Sequence, residues 1–195
     1  MNTKIDWQLP KKSKGVRGFL EILAGPGSTN AELIIQFSFA TLAATAMYFY
    51  SKNFDWNIWQ IIVACYIVFD ISGGIATNAT SSGKRFWHRV ERNYQKHHMF
   101  FMLCHFYLPL LVVLFFRPGD WEFFAMVYGY LLVATFFITS FRQYLQRMMA
   151  FIFYVGAILM NLYFLTPTIG MEWFIPMLYL KLFLSYLPTE EPYRP

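Results

Sequence analysis

The stretch Asn57–Asn78, NIWQIIVACYIVFDISGGIATN, decides the class of this protein. A transmembrane helix needs about 20 mostly apolar residues to cross roughly 30 Å of hydrocarbon. This stretch provides 22 residues, and Asp70 is its only charged one. A helix that is apolar on all sides belongs in a membrane or in the interior of a large protein. In a chain of 195 residues, the stretch therefore predicts a membrane span.

Five further segments have the same apolar character. We predict spans over Ala31–Tyr50, Met99–Phe116, Trp121–Thr139, Met148–Leu165 and Glu172–Leu187. Charged residues make up only 14% of the chain, against roughly 25% in soluble proteins. The sequence therefore predicts an all-α polytopic integral membrane helix bundle with six transmembrane spans. Pro109 and Pro176 are expected to kink the spans that contain them.

Basic residues predict the orientation of these spans, since cytoplasmic loops retain Lys and Arg. Thirteen of the sixteen lie before span one, after spans two and four, or in the tail, whereas Lys52 and Arg117 lie on the opposite side. Both termini are therefore predicted to be cytoplasmic. This distribution also explains the basic charge without a nucleic-acid partner. We expect a multi-pass location, which in a bacterium would be the cell membrane.

The chain divides into three predicted regions. Residues 1–27 form a cytoplasmic basic segment, with a short interfacial helix over Gly15–Ala24 that has one apolar face. Residues 28–188 form the six-span membrane domain, and residues 189–195 form a cytoplasmic tail. Thr29 and Glu32 have the spacing of a capping box, which predicts the start of span one.

Ionisable residues inside the spans are the candidate functional groups, because they are costly in hydrocarbon. Asp70, His105 and Lys181 are predicted to lie at a similar depth in the cytoplasmic half. We expect catalytic roles for Asp70, His105 and His98. Expected substrate-binding residues are Gly74, Asn78, Lys181, Arg85 and Arg142.

The four histidines lie close together in the sequence, between positions 88 and 105. His98 and His105 are seven residues apart, which predicts that both lie on one face of span three. Residues Lys84–His98 predict a basic helix at the headgroup level. A divalent metal, if one binds, would use Asp70, His98 and His105. Haem is not expected, since these two histidines share a helix.

Three functions remain open at this stage. The first is a membrane-embedded enzyme that performs acid–base chemistry on a lipid-like or isoprenoid substrate, with basic loops holding an anionic headgroup. The second is a proton- or cation-coupled transporter or channel subunit. The third is an accessory or structural subunit of a membrane complex. Membrane lipid is the expected partner in each case, and the oligomeric state remains open.

Overall fold

The computed structural model describes residues 4–89, 93–191 and 193–194. The α-helices in this part of the chain are α1 (Gly15–Ala24), α2 (Asn30–Ser51), α3 (Ile58–Asn78), α4 (Ser81–Trp87), α5 (Tyr94–Cys104), α6 (Tyr107–Phe116), α7 (Trp121–Ser140), α8 (Gln143–Tyr163) and α9 (Phe174–Tyr179). A π-helical segment, Leu180–Tyr186, continues α9. Short strands β1 (Lys4–Ile5) and β2 (Tyr193–Arg194) lie near the two ends.

In the described part of the chain, five helical units are long and apolar enough to cross a membrane: Asn30–Ser51, Ile58–Asn78, Tyr94–Phe116, Trp121–Ser140 and Gln143–Tyr163. The sixth predicted span corresponds to a shorter apolar helix, Phe174–Tyr186. These helices confirm the all-α membrane bundle that the composition predicts.

The two ends of the chain meet, since β1 and β2 pair antiparallel with Lys4 opposite Arg194. Termini on one side of a membrane require an even number of crossings. Five long helices alone would place them on opposite sides. The pairing is consistent with the shorter helix Phe174–Tyr186 as a sixth span.

The start of the membrane domain follows the sequence signals closely. Helix α1 has the predicted bounds. The Thr29 hydroxyl accepts a hydrogen bond from the Glu32 backbone N–H at 3.1 Å, and the Glu32 carboxylate accepts one from the Thr29 N–H at 2.7 Å. This capping box satisfies two N–H groups at the start of α2.

Two predicted helix starts and one predicted continuous helix were wrong. Span three begins at Tyr94 and span five at Gln143, each five residues before the prediction. The first turn of each helix is mostly polar, so the apolar run in the sequence begins one turn after the helix does. The basic helix Lys84–His98 is not continuous, because α4 ends at Trp87 and the Asn93 side chain caps a new helix. Residues 90–92 of that prediction lie outside the described residues.

The two prolines behave differently from each other. Pro109 has no N–H to donate to the carbonyl of His105, and the helix is interrupted there, between α5 and α6. The Leu108 N–H bonds to the His105 carbonyl instead, at 3.3 Å. The expected kink at Pro176 was wrong, because Pro176 lies in the first turn of α9, where no N–H partner is needed.

Helix α3 packs against both α2 and the π-helical segment. A Cβ atom on Gly73 would lie 3.4 Å from Ala40 Cβ of α2, so this glycine lies where the two helices approach closely. Ser185 of the π-helical segment donates its hydroxyl to the Ile75 carbonyl at 2.7 Å. These contacts bring the polar residues of α3 beside Lys181.

Candidate membrane cavity

A cavity of about 490 Å³ lies between α1, α2, α3, α5 and the π-helical segment. We call it the Asp70 cavity. Its walls are largely apolar and aromatic. Its polar side chains come from four elements: Gln36, Asp70, Thr77, Asn78, His105 and Lys181. A mostly apolar cavity with a few convergent polar groups is the usual form of a small-molecule site.

An ion pair lies in this cavity. Lys181 Nζ donates to Asp70 Oδ2 at 2.6 Å. The Lys181 side chain is only 5% exposed, whereas the Asp70 side chain is 27% exposed. Gly74 makes this contact sterically feasible, because a Cβ there would overlap Lys181 Cε and lie 2.9 Å from Cδ. The glycine therefore provides the space in which the lysine reaches the carboxylate.

His105 has a defined tautomer because of its position at the helix interruption. Its Nδ1 lies 2.8 Å from the Phe101 carbonyl oxygen. A carbonyl can only accept, so Nδ1 carries the proton and donates. In the neutral ring this leaves the lone pair on Nε2, which can accept a proton or a hydrogen bond. Since His105 lines the Asp70 cavity, it supplies a base there.

Two of the polar side chains of the cavity bond to each other. The Thr77 hydroxyl donates to Gln36 Oε1 at 2.6 Å. The other end of that amide, Gln36 Nε2, is buried and has no hydrogen-bond partner within the described part of the chain.

The cavity is bordered by side chains that face the outside of the bundle. Tyr66 and Phe69 line it and are exposed on the lipid side of α3. Ile22 and Leu23 line it from α1 and are also exposed. Exposed apolar side chains on a membrane helix contact lipid, and those of an amphipathic surface helix enter the interface. The Asp70 cavity therefore reaches the outer surface of the helix bundle, with α1 at its edge.

The structure brings together five of the eight predicted site residues. Asp70, Gly74, Asn78, His105 and Lys181 all line the Asp70 cavity. The other three, His98, Arg85 and Arg142, are not among its lining residues.

Different environments explain why these three lie elsewhere. His98 is buried among the rings of Tyr94, His88 and Tyr186, with centroids 4.2 to 5.0 Å away. Arg85 is buried in α4, and Arg142 is exposed at the start of α8. Within the described residues, no group of three or more His, Cys, Asp or Glu side chains could hold a metal ion. The predicted metal set is therefore not assembled, since His98 faces away from the cavity.

A cap on the last span is the main feature that sequence reasoning missed. Lys84 Nζ donates to the carbonyls of Ser185 and Pro188 at 2.7 and 2.8 Å. His88 Nε2 bonds to the Tyr186 carbonyl at 2.8 Å, and the Tyr94 hydroxyl donates to the Leu187 carbonyl at 2.7 Å. We call these three side chains the carbonyl cap, because they satisfy the last carbonyls of the helix that carries Lys181.

Burial changes the ionisation of the carbonyl cap. It lowers the pKa of His88 to about 3 and that of Lys84 to about 8. His88 is therefore neutral at physiological pH. Its Nε2 donates to the carbonyl of Tyr186, and its Nδ1 accepts from the Thr189 hydroxyl at 3.1 Å. These two basic side chains support the fold and are not available to hold a headgroup.

The fold and the cavity define a polytopic helical membrane protein with a cavity that contains several polar side chains. Comparison with protein-family models, curated proteins and solved structures finds no match to this chain. The Asp70 cavity is therefore the basis for the proposed function.

Proposed function

We propose that this protein is a membrane-embedded enzyme that moves protons on a lipid-like substrate in the Asp70 cavity. The observation that carries the proposal is that His105, whose Nδ1 donates to the Phe101 carbonyl, lines the same cavity as Lys181 and Asp70. A base and an ammonium group in a site poor in water are a suitable pair for general acid–base chemistry.

The residues have distinct roles in this proposal. His105 Nε2 removes a proton from the substrate, and the Phe101 carbonyl fixes the orientation of the ring. The Lys181 ammonium stabilises the negative charge that develops on a substrate oxygen. Asp70 is a positioning residue, since its carboxylate holds Lys181 in place. The apolar walls and the border with lipid favour an amphiphile as substrate.

A test can use a total lipid extract as the substrate pool. The purified protein, in phosphatidylcholine nanodiscs, is incubated with the extract, and untargeted mass spectrometry follows species that are lost or formed. We expect a conversion that His105→Gln slows by about 10² or more. His97→Gln is the matched control on the same helix and should retain conversion. Equal conversion by wild type and His105→Gln would refute the proposal.

An accessory or structural role is the second candidate. The 2.6 Å ion pair between Asp70 and Lys181 favours it, since such a pair can also serve only to join α3 to the last span. In that case no lipid species should change with time, and Asp70→Asn should affect stability alone.

Transport is less well supported by the geometry. A second cavity, lined by Gln60 and Arg117 among others, lies at the opposite end of α3. Between Gln60 and Asp70, α3 places Val63, Ala64 and Ile67 in the buried apolar core. A permeation route through this region would require rearrangement of the helices.

A further inference from the structure

We infer that the Asp70 cavity selects an amphiphile whose headgroup is uncharged and carries a hydroxyl group together with an acceptor oxygen. This inference rests on the proposed function only for the premise that an amphiphile occupies the cavity. It replaces the sequence-based expectation of an anionic headgroup held by basic loops.

The charge of the cavity disfavours an anionic headgroup. Among its lining residues that the structure describes, Lys181 is the only Lys or Arg, and Asp70 neutralises it. Two nearby cations have partners outside the cavity. Arg17 binds the Ser28 carbonyl and the Asn30 side chain, and Lys84 belongs to the carbonyl cap. A phosphate or carboxylate headgroup would therefore meet no unpaired Lys or Arg among the described residues that line the cavity, which is costly away from water.

The unsatisfied amide of Gln36 favours a ligand that carries an acceptor oxygen. Gln36 is only 3% exposed, and its Nε2 has no partner within the described residues. An unpaired buried donor costs free energy, so a native site that retains one favours a ligand that satisfies it. Thr77 fixes the other end of this amide by donating to Oε1. Because Gln36 lines the cavity, a ligand with an acceptor oxygen can satisfy Nε2.

His105 adds the complementary requirement. Its Nε2 accepts, because Nδ1 donates to Phe101. A ligand hydroxyl can donate to this nitrogen, whereas a phosphate diester or a methyl ether cannot. A donor and an acceptor on one small uncharged headgroup, as in a monoacylglycerol, match both groups. The acyl chain would lie along Tyr66 and Phe69 toward the lipid.

Equilibrium binding of matched probes tests this inference without any need for turnover. The full-length protein in phosphatidylcholine nanodiscs is titrated with radiolabelled 1-oleoylglycerol and, separately, with oleoyl lysophosphatidic acid. The two probes share the chain and differ in headgroup charge. We expect saturable binding of 1-oleoylglycerol that is at least tenfold tighter than that of the phosphate. Binding that is equal, tighter for the phosphate or absent for 1-oleoylglycerol would overturn the inference.

Variants of Gln36 test the donor itself. Gln36→Met should weaken binding of 1-oleoylglycerol about tenfold, the effect of one lost hydrogen bond. Gln95→Met, which removes an amide that bonds to Ser140 outside the cavity, is the matched control and should change affinity less than threefold. Gln36→Glu keeps an acceptor for Thr77 and removes the donor, so it should also weaken binding. Unchanged affinity in both Gln36 variants would overturn the assignment.

These outcomes separate the inference from the proposed function. Selective binding without any His105-dependent conversion would retain the inference and refute the enzyme. Conversion of an anionic lipid that depends on His105 would retain the enzyme and refute the inference.

Discussion

Breaking the Asp70–Lys181 ion pair should have an asymmetric effect on stability. Asp70→Asn leaves an ammonium group that is only 5% exposed, and removing one partner of a buried pair costs about 3–5 kcal/mol. Lys181→Met leaves a carboxylate that is 27% exposed and so is partly solvated. Its expected cost is smaller, about 1–3 kcal/mol, as for an unsatisfied polar group.

The double variant Asp70→Asn with Lys181→Met is the decisive member of this series. Replacing both charges leaves no unpaired ion, so its stability should return to near that of the wild type. The free energy of unfolding is measured in detergent by thermal or SDS titration. Asp55→Asn, an exposed carboxylate outside the cavity, is the matched control and should change stability by less than about 0.5 kcal/mol. Strictly additive losses in the double variant would show that the two groups do not interact.

Two further stability predictions concern the glycines of α3 and the buried side chain of His88. Gly74→Ala should cost about 1–3 kcal/mol because its Cβ would overlap Lys181, whereas Gly73→Ala should be neutral or gain up to about 1 kcal/mol. Thermal unfolding of the wild type and the two variants checks this, and equal losses at both glycines would contradict it. Lowering the pH from 7 to 5 should reduce the free energy of unfolding by about 2 kcal/mol through His88. The unfolded histidine takes up a proton below pH 6.5, whereas the folded one, with its pKa of about 3, does not. Denaturation in both buffers should show a smaller pH effect in His88→Gln, and an unchanged effect would refute the role of His88.

The long apolar runs made the membrane fold predictable, because the cost of an unsatisfied backbone in lipid restricts the spans to helices. The capping box at Thr29 and the interfacial helix Gly15–Ala24 were equally accessible, since each depends only on neighbouring residues. Depth along each helix was also sufficient to bring Asp70, His105 and Lys181 together. In each case, spacing in the sequence translates directly into distance along a helix.

Long-range partners could not be predicted in the same way. The spacing of His98 and His105 suggests one face, but Pro109 interrupts the helix at His105, and His98 faces the rings of the carbonyl cap. Lys84 and Arg85 have the composition of a headgroup site, and only the tertiary structure shows that both are buried. The sequence shows which side chains are charged, but it does not show which partners neutralise them. The tautomer of His105 and the unpaired end of Gln36 require atomic contacts.

The lipid that co-purifies with the protein tests the central claim most directly. Wild type and His105→Gln are purified in parallel from the same membranes, and their bound lipids are extracted and compared by mass spectrometry. If His105 acts as the base on an amphiphile in the Asp70 cavity, His105→Gln should retain an uncharged amphiphile that the wild type holds at a much lower level. The same lipids in the same amounts in both proteins would contradict the account.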